Sequence, residues 1–594
     1  MSEKIKKNEK AKKQTWRAGN MLYPVPAVMV SCARKGEKPN IITVAWAGTV
    51  CSDPAMVSIS VRKERYSHDI IKETGEFVIN LTTRKLARAT DYCGVKSGRD
   101  VDKFADMHLT AVPSVKIEAP AIAESPVNIE CKVKQVLELG SHDMFIAEVM
   151  EKKKYLWCVI SVIVGVVIFV VAGVNKRITF CDEIYTYMIV NAPNGAYQLA
   201  EGHWYTRQQT VDMLGHSSND SVVQMLWNVK GDSHPPLYYG LVYIASLIGG
   251  LNISEWTGLA VNLLMYIGTM LLFWLIIDRI FGRPGMAAAA AIVYALNVGT
   301  LSDAMLIRMY MQLTFFTIAF AYAAWRLWEN KEKLSGYVLL GIATAGGFLT
   351  QYYFCFIPIG FFVVWAIYNI ARKKYSCIIK YLASMSAAVA VDTILWHYWI
   401  GTMLSNSDSG AIKENAMNFV NIFNSMFRGL ESVQLIIFQK WHIVGGLAVI
   451  IVVVIALVSE RVNASFRNMR LYVGGLSAML FFYSTIVYYL TPTYLMSSRY
   501  FYVASAVEIL LVAVCICALV CTFVTDERLG KKRKIFVNAG TAVVCIAMDI
   551  GILAFGYGID YYADAAAYDT QRECLEEYSD IPWVLCGDEN WEMK

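Results

Sequence analysis

Charge is scarce in this chain: Asp, Glu, Lys and Arg make up 17% of its 594 residues, and the formal net charge is only +5. With so small an excess, and with the lysines and arginines gathered between apolar runs, there is no basic face for a nucleic acid, and that class of partner is excluded. A metal-binding cysteine framework is also missing. None of the 14 cysteines stands in zinc-type pairs, and Cys515, Cys517 and Cys521 lie inside an apolar run as small hydrophobes. The lysine-rich opening, Met1 to Arg17, is not followed by an apolar segment. It is therefore no signal peptide, and residues 1–20 read as a solvated basic tail.

Hydrophobic residues make up 56% of the chain, too much for an ordinary soluble protein. The excess is uneven, because the first 150 or so residues carry the mixed, alternating pattern of a soluble domain and the long uncharged runs come later. Leu156 to Val174 is uncharged and long enough to cross the roughly 30 Å hydrocarbon layer as a helix. Comparable runs lie near 257–278, 285–301, 309–327, 335–350, 352–371, 378–400, 442–459, 470–489, 501–524 and 535–557, which makes eleven expected spans.

Basic clusters occupy alternate loops: Lys152 to Lys154, Arg279 with Arg283, Arg326 with Lys331 and Lys333, Arg372 to Lys374, Arg461 with Arg467 and Arg470, and Arg528 with Lys531 to Lys534. By the positive-inside rule all six are cytoplasmic together if the stretch 236–250 is interfacial or re-entrant. The N-terminal domain is then cytoplasmic, and the loops 175–256, 302–308, 401–441 and 490–500, the turn at Gln351 and the tail 558–594 face outward across the plasma membrane. Lys176 and Arg177 run against the rule.

The polar motifs all fall on the outer side. Cys181-Asp182-Glu183-Ile184-Tyr185 places an acidic pair where the first span ends. A carboxylate there can act as a base or simply be solvated, and both readings stay open. Gly231-Asp232-Ser233-His234-Pro235-Pro236-Leu237-Tyr238-Tyr239 uses two prolines to stiffen the entry to a short helix. Arg308 in Ile307-Arg308-Met309-Tyr310 and Arg499 in Ser498-Arg499-Tyr500 sit at outer helix ends, where a guanidinium suits phosphate oxygens or snorkels to the interface. In loop 401–441, Phe419, Ile422, Phe423, Met426 and Phe427 share an amphipathic helix that either covers an acceptor groove or packs on the bundle. In the tail, Cys574 and Cys586 are close enough in sequence to pair.

On Asp182-Glu183, His234-Pro235-Pro236-Leu237-Tyr238-Tyr239, Arg308-Met309-Tyr310 and Arg499-Tyr500, residues 150–594 resemble the GT-C glycosyltransferases related to protein O-mannosyltransferases and aminoarabinose transferases. The resemblance implies a GT-C membrane domain over 150–557 that moves a sugar from a polyprenyl-phosphate donor to an outer-face acceptor with inversion. Protein, lipid and cell-wall glycan are the acceptor classes. It implies Asp182 with Glu183 as the catalytic carboxylates and Asp232, His234, Arg308, Tyr310, Gln351, Arg499 and Tyr500 as the substrate-binding set. One departure is Leu306, where many relatives carry an acid two residues before the arginine; Asp303 is the nearby candidate to replace it. A sugar, an acceptor or a metal ion is not specified by these residues.

Residues 21–149 alternate apolar strands with turns: Val25 to Val30, Ile41 to Trp46, Ala55 to Val61, Phe77 to Leu81, Val127 to Val136 and Met144 to Val149. This reads as a β-barrel with helical inserts. The strings Asn40 to Thr49, Ser52-Asp53-Pro54, Arg62-Lys63-Glu64-Arg65-Tyr66-Ser67, Cys93-Gly94 and Ser97 to Phe104 resemble the flavin reductase-like, FMN-binding split barrel of flavoredoxins. That resemblance implies FMN contacts from Thr43, Ala45, Trp46, Arg62 and Ser67, and dimerisation through this domain. The barrel stops early, at a segment that itself looks like a protein start: Met150, a basic stub and a first span, with no Gly/Ser/Pro linker. The expectation is a fusion of a truncated flavin domain to a membrane transferase, with an incomplete FMN site.

Two other functions compete. A lipid-linked sugar transporter predicts charges near the bilayer midplane, which are few here. A flavin reductase merely anchored in the membrane leaves eleven spans and an outward motif set unexplained.

Overall fold

The computed structural model describes residues 25–52, 54–150, 154–176, 181–191, 221–248, 254–329, 333–401, 419–459, 462, 466, 468–491, 497–524, 531–555 and 559. The basic tail, Asp53, Lys152, Lys153, Arg177, Lys331, Arg461, Arg467, Arg528, the start of the 401–441 loop, Cys574 and Cys586 lie outside the described residues. The chain divides into two compact units, Met1–Lys153 and Lys154–Lys594.

The first unit is built on strands β1 (Val28–Cys32), β2 (Asn40–Val44), β3 (Ala47–Ser52), β4 (Ala55–Arg62), β5 (Glu76–Asn80), β8 (Asn128–Leu139) and β9 (His142–Val149), joined as one antiparallel sheet in the order β2-β1-β5-β8-β9-β4-β3. Two short strands, β6 (Ala111–Val112) and β7 (Ala121–Ile122), pair separately. Alternation decides the faces, and β1 is buried on both. Its Val28, Val30 and Cys32 join Ile42, Ile59, Phe77 and Phe145 in one core, while Met29 joins Ile41, Leu86, Cys93 and Phe104 on the opposite side. Helices α1 (Tyr66–Thr74), α2 (Ala87–Val95) and α3 (Lys103–Asp106) fill the connections. Helix α1 ends where Gly75 takes a φ of 66° and returns its N–H to Ile71 O at 3.0 Å. The six expected strands are present, and β3 adds a seventh. Its residues, Ala47-Gly48-Thr49-Val50-Cys51-Ser52, are mostly exposed, so no alternation marks them.

The second unit is helical throughout its described residues. Helices α4 (Lys154–Asn175) and α5 (Cys181–Asn191) are followed by α6 (Val222–Lys230), α7 (Leu237–Ile248) and α8 (Glu255–Phe281). Next come α9 (Pro284–Leu296), α10 (Val298–Met305), α11 (Tyr310–Glu329), α12 (Leu334–Phe348), α13 (Phe356–Ala371) and α14 (Tyr375–Leu395). The last are α15 (Phe419–Phe438), α16 (His442–Val458), α17 (Met469–Leu490), α18 (Tyr502–Val524) and α19 (Lys531–Phe555).

All eleven expected runs fall on helices. Seven among the described residues are long and apolar enough to cross a membrane, or eight if α9 and α10, bent by 62°, count as one span. The difference has a physical source. Helix α11 carries Gln312, Thr314, Thr317, Arg326 and Glu329, and α12 and the described apolar part of α19 are short. Helix α15, expected in an outer loop, continues through a 3-10 turn, Gln439–Trp441, into α16, with Gln439 in the left-handed region at φ 49°.

Close packing here depends on small residues. A Cβ on Gly360 of α13 would stand 2.7 Å from Ala478 O of α17, so only glycine allows that helix pair its separation.

Candidate functional site

The α9–α10 bend is made by Asn297. Its side chain accepts from Gly299 N at 3.0 Å and caps α10, while its amide donates to Asp549 Oδ1 at 3.2 Å. Helix α10 therefore runs inward, fully buried, and ends at the short link Leu306–Met309. Asn262 of α8 pins that link by donating to Ala304 O at 3.0 Å and Leu306 O at 2.7 Å. Arg308 is carried on it.

Around Arg308 the motifs read from distant parts of the sequence meet. Its Nη1 donates to the Tyr239 hydroxyl at 2.9 Å and to Thr186 Oγ1 at 3.4 Å. Tyr239 in turn donates to Asp232 Oδ2 at 2.6 Å, and His234 Nδ1 lies 3.0 Å from the same oxygen. Arg308 is 6% exposed, its Nε has no hydrogen-bond partner, and no carboxylate stands within ion-pair distance of it among the described residues. Burial drives the Asp232 carboxyl up, but the His234 imidazole, the Arg308 guanidinium and the Tyr239 hydroxyl more than offset this and hold it well below the usual carboxylate range.

Asp182, in the first turn of α5, pairs with Arg499 of the 3-10 turn Ser498–Phe501. Both side chains keep 15% exposure, so this pair remains reachable. Its neighbour Glu183 is fully buried. Glu183 Oε2 meets Lys176 Nζ at 2.8 Å, and Oε1 accepts from Ile307 N at 2.7 Å. Thr186 donates to Ile307 O at 3.0 Å, so α5 is tied to the Arg308 link by three bonds, counting the one from Arg308 to Thr186. Lys176, which ran against the charge rule, is spent on this internal pair and carries no information about membrane sidedness. The aromatic wall is Tyr310, edge-on to Tyr500 at 6.0 Å, with the Arg499 guanidinium 5.3 Å above the Tyr500 ring.

Eight of the expected residues are thus gathered: Asp182, Glu183, Asp232, His234, Arg308, Tyr310, Arg499 and Tyr500. Gln351 is not joined to them by a hydrogen bond. Its oxygen accepts from Tyr352 N at 2.8 Å and caps the turn Tyr352–Cys355. Asp303 does not stand in for the acid missing at Leu306, because its carboxylate faces Thr314 of α11 at 2.8 Å. Reasoning from sequence missed Thr186 and Tyr239. Thr186 lies one helical turn after Asp182 and so shares its face, whereas Tyr239 becomes visible only through its partners in space.

In the first unit, Ala45, Trp46 and Arg62 are exposed, with the Trp46 ring 4.4 Å from that of His142 and tilted by 37°, and Arg62 paired to Glu64 at 3.3 Å. The Thr43 hydroxyl is bonded to Thr90 O, and Ser67 accepts from Asn40 at 2.7 Å. Beside Ser67 lies a narrow cleft with only about 10 Å³ of cavity volume, lined by Arg65, Lys96, Ser97 and Lys103. The exposed indole and the hydroxyls and cations of that cleft match the chemistry of a flavin's ring and phosphate. Lys103 shapes that pocket rather than serving as a free cation, since its ammonium donates to Ile41 O at 2.6 Å and Cys93 O at 3.0 Å, and burial pushes its pKa down.

Residues 20–154 match the flavin reductase like domain family, and residues 233–399 match the dolichyl-phosphate-mannose-protein mannosyltransferase family. An uncharacterized protein of Archaeoglobus fulgidus is 33% identical over 129 residues, which is 22% of this chain and 72% of that protein. The first unit belongs to the flavin reductase like family, and the match in the second unit is to the mannosyltransferase family. The chain is a multi-pass membrane glycosyltransferase that takes its sugar from a polyprenyl-phosphate-type donor, preceded by a flavin reductase-like domain. The first unit is also similar to the high molecular weight rubredoxin of Moorella thermoacetica, at 27% identity over 20% of this chain and 52% of that protein. The flavoredoxin of Desulfovibrio vulgaris is 38% identical, with 24% of this chain and 75% of that one covered and a TM-score of 0.23.

Proposed function

We propose that this transferase moves mannose from a polyprenyl phosphate to an acceptor hydroxyl on the outer face of the plasma membrane, with Asp182 as the base. The observation that carries this reading is the convergence on one place of a reachable carboxylate and two arginines, one of which, Arg308, is buried with no carboxylate in ion-pair distance among the described residues. An acceptor hydroxyl is a poor nucleophile and needs a base as it attacks the anomeric carbon. Asp182 accepts that proton while the bond from the sugar to the phosphate breaks on the opposite face, which inverts the anomeric centre. The leaving phosphate gains negative charge in this step, and Arg499 and Arg308 stabilise it.

Glu183 has both oxygens engaged in the fold and acts by holding α5, not by touching substrate. Tyr310 and Tyr500 form the aromatic wall, and His234 shapes one side of the site; Gln351 lines it only if substrate draws its side chain from the turn it caps. The family description supports mannose as the sugar and a protein as the acceptor. The first unit, on the cytoplasmic side in this reading, binds FMN, with Trp46 against the ring and Arg62, Arg65, Ser67 and Lys96 toward the phosphate. It dimerises as expected from its resemblance. The domain limits at residues 149 and 557 belong to the same reading.

The test is Asp182→Asn in the full chain, reconstituted in lipid and assayed with polyprenyl-phosphate mannose. Transfer is expected to fall at least roughly a hundredfold. Undiminished turnover removes Asp182 from the base role.

A further inference from the structure

We infer that Asp232, acting through the Tyr239 hydroxyl, is the indirect counter-ion that positions Arg308 for the donor phosphate. This rests on the reading of Arg308 as a phosphate ligand and adds to it two residues that act through another.

A bare arginine buried to this depth is costly, and proteins ordinarily balance it with a carboxylate in direct contact. A direct carboxylate would also occupy the fork that a phosphate needs. Here a phenol stands between the two charges. Asp232 and Arg308 are joined by two short steps, 2.6 Å from Tyr239 to Asp232 and 2.9 Å from Arg308 to Tyr239. Tyr239 is 1% exposed and sits on α7, whose entry is fixed by Pro235 and Pro236 and whose first amide, Leu237 N, donates to Leu349 O at 3.2 Å. The phenol oxygen accepts from the cation and donates to the anion, which polarises both bonds in one direction. The guanidinium is oriented from one side through Nη1, and its Nε is left without a partner for an incoming anion.

The arrangement also accounts for the departure at Leu306. An acid expected in sequence two residues before the arginine is supplied instead from the Asp232 loop, at one phenol's remove. His234 on the same loop also contacts Asp232, so a chain of four groups runs from His234 through Asp232 and Tyr239 to Arg308.

The experiment uses the full chain in lipid nanodiscs, with polyprenyl phosphate as the binding probe and polyprenyl-phosphate mannose as the donor. Tyr239→Phe, which keeps the ring and removes only the oxygen, and Asp232→Asn are each expected to weaken polyprenyl phosphate binding and raise the donor KM roughly ten- to a hundredfold. The KM for the acceptor should stay unchanged, a split that general loosening of the fold would not give. Because the two residues act as one unit, the double variant should bind no worse than the weaker single variant, within about threefold. Wild-type affinity in either single variant, or losses that multiply in the double variant, overturns the inference. Arg308→Gln separates it from the reading beneath it: if that variant binds polyprenyl phosphate as tightly as the unaltered chain, Arg308 is not the phosphate ligand, and the reading falls together with what is built on it.

Discussion

Among single residues, the adjacent acids Asp182 and Glu183 show how position divides labour between identical chemistries. They are one residue apart, so on a helix they point about 100° from each other. One emerges beside Arg499 and keeps some exposure, and the other is driven inward onto Lys176 and the Ile307 amide. Neutralising Glu183 removes the carboxylate that meets the buried Lys176 ammonium, so Glu183→Gln should cost about 3 kcal/mol or more. Thermal unfolding of the detergent-purified chain checks this: a melting temperature equal to that of the unaltered chain rules out a structural pair. The acidic pair itself was legible in the sequence, as were Arg308 and Arg499, because charged residues at the ends of apolar runs stand out. Which acid does which job was not legible, since it depends on helix phase and on the distant Ile307 amide. Tyr239 was hidden for a related reason: a tyrosine in an apolar helix looks like core until its hydroxyl is traced to Asp232 and Arg308.

Among the elements, the break at Asn297 decides where the site can form. An uninterrupted helix over 284–305 would run on in one direction, whereas the 62° bend turns α10 and brings the Leu306–Met309 link up against α5. Hydropathy revealed the apolar run from 285 to 301 but not its bend, because one asparagine hardly alters the mean over such a window. What makes the bend is a local cap on Gly299 N together with a bond to Asp549, which lies far along the chain. Asn297→Ala removes both. Stability should fall by about 1–2 kcal/mol from the lost cap, and donor KM should rise because Arg308 is displaced. Urea or thermal unfolding measures the first and steady-state transfer the second, and an unchanged donor KM would separate the bend from the site. Elsewhere, strand β5 was plain from its apolar run Phe77 to Ile79, buried on both faces, while β3 was not, since both of its faces are largely exposed.

As a whole molecule, the protein joins a transferase and a flavin reductase-like domain in fixed proportion, one of each per chain. The composition shift near residue 150 made this division legible, and the two compact units meet between Lys153 and Lys154. If the first unit holds its flavin, the purified full chain should carry or take up one FMN per polypeptide. Absorbance and fluorescence titration give the count, and a chain that takes up no FMN removes the flavin site.

The strand order of the first unit also bears on how the protein is made. Strands β3 and β4 are joined to the rest of the sheet through β9, the last strand of the unit. They leave the ribosome early and can pair only with each other, so the second edge of β4 must wait for seconds, at ordinary translation rates, until His142–Val149 emerges. Only a few residues after that strand, α4 begins. Completion of the soluble fold and delivery of the first apolar helix to the membrane are therefore nearly the same moment in the life of the nascent chain, and whatever delays one holds up the other.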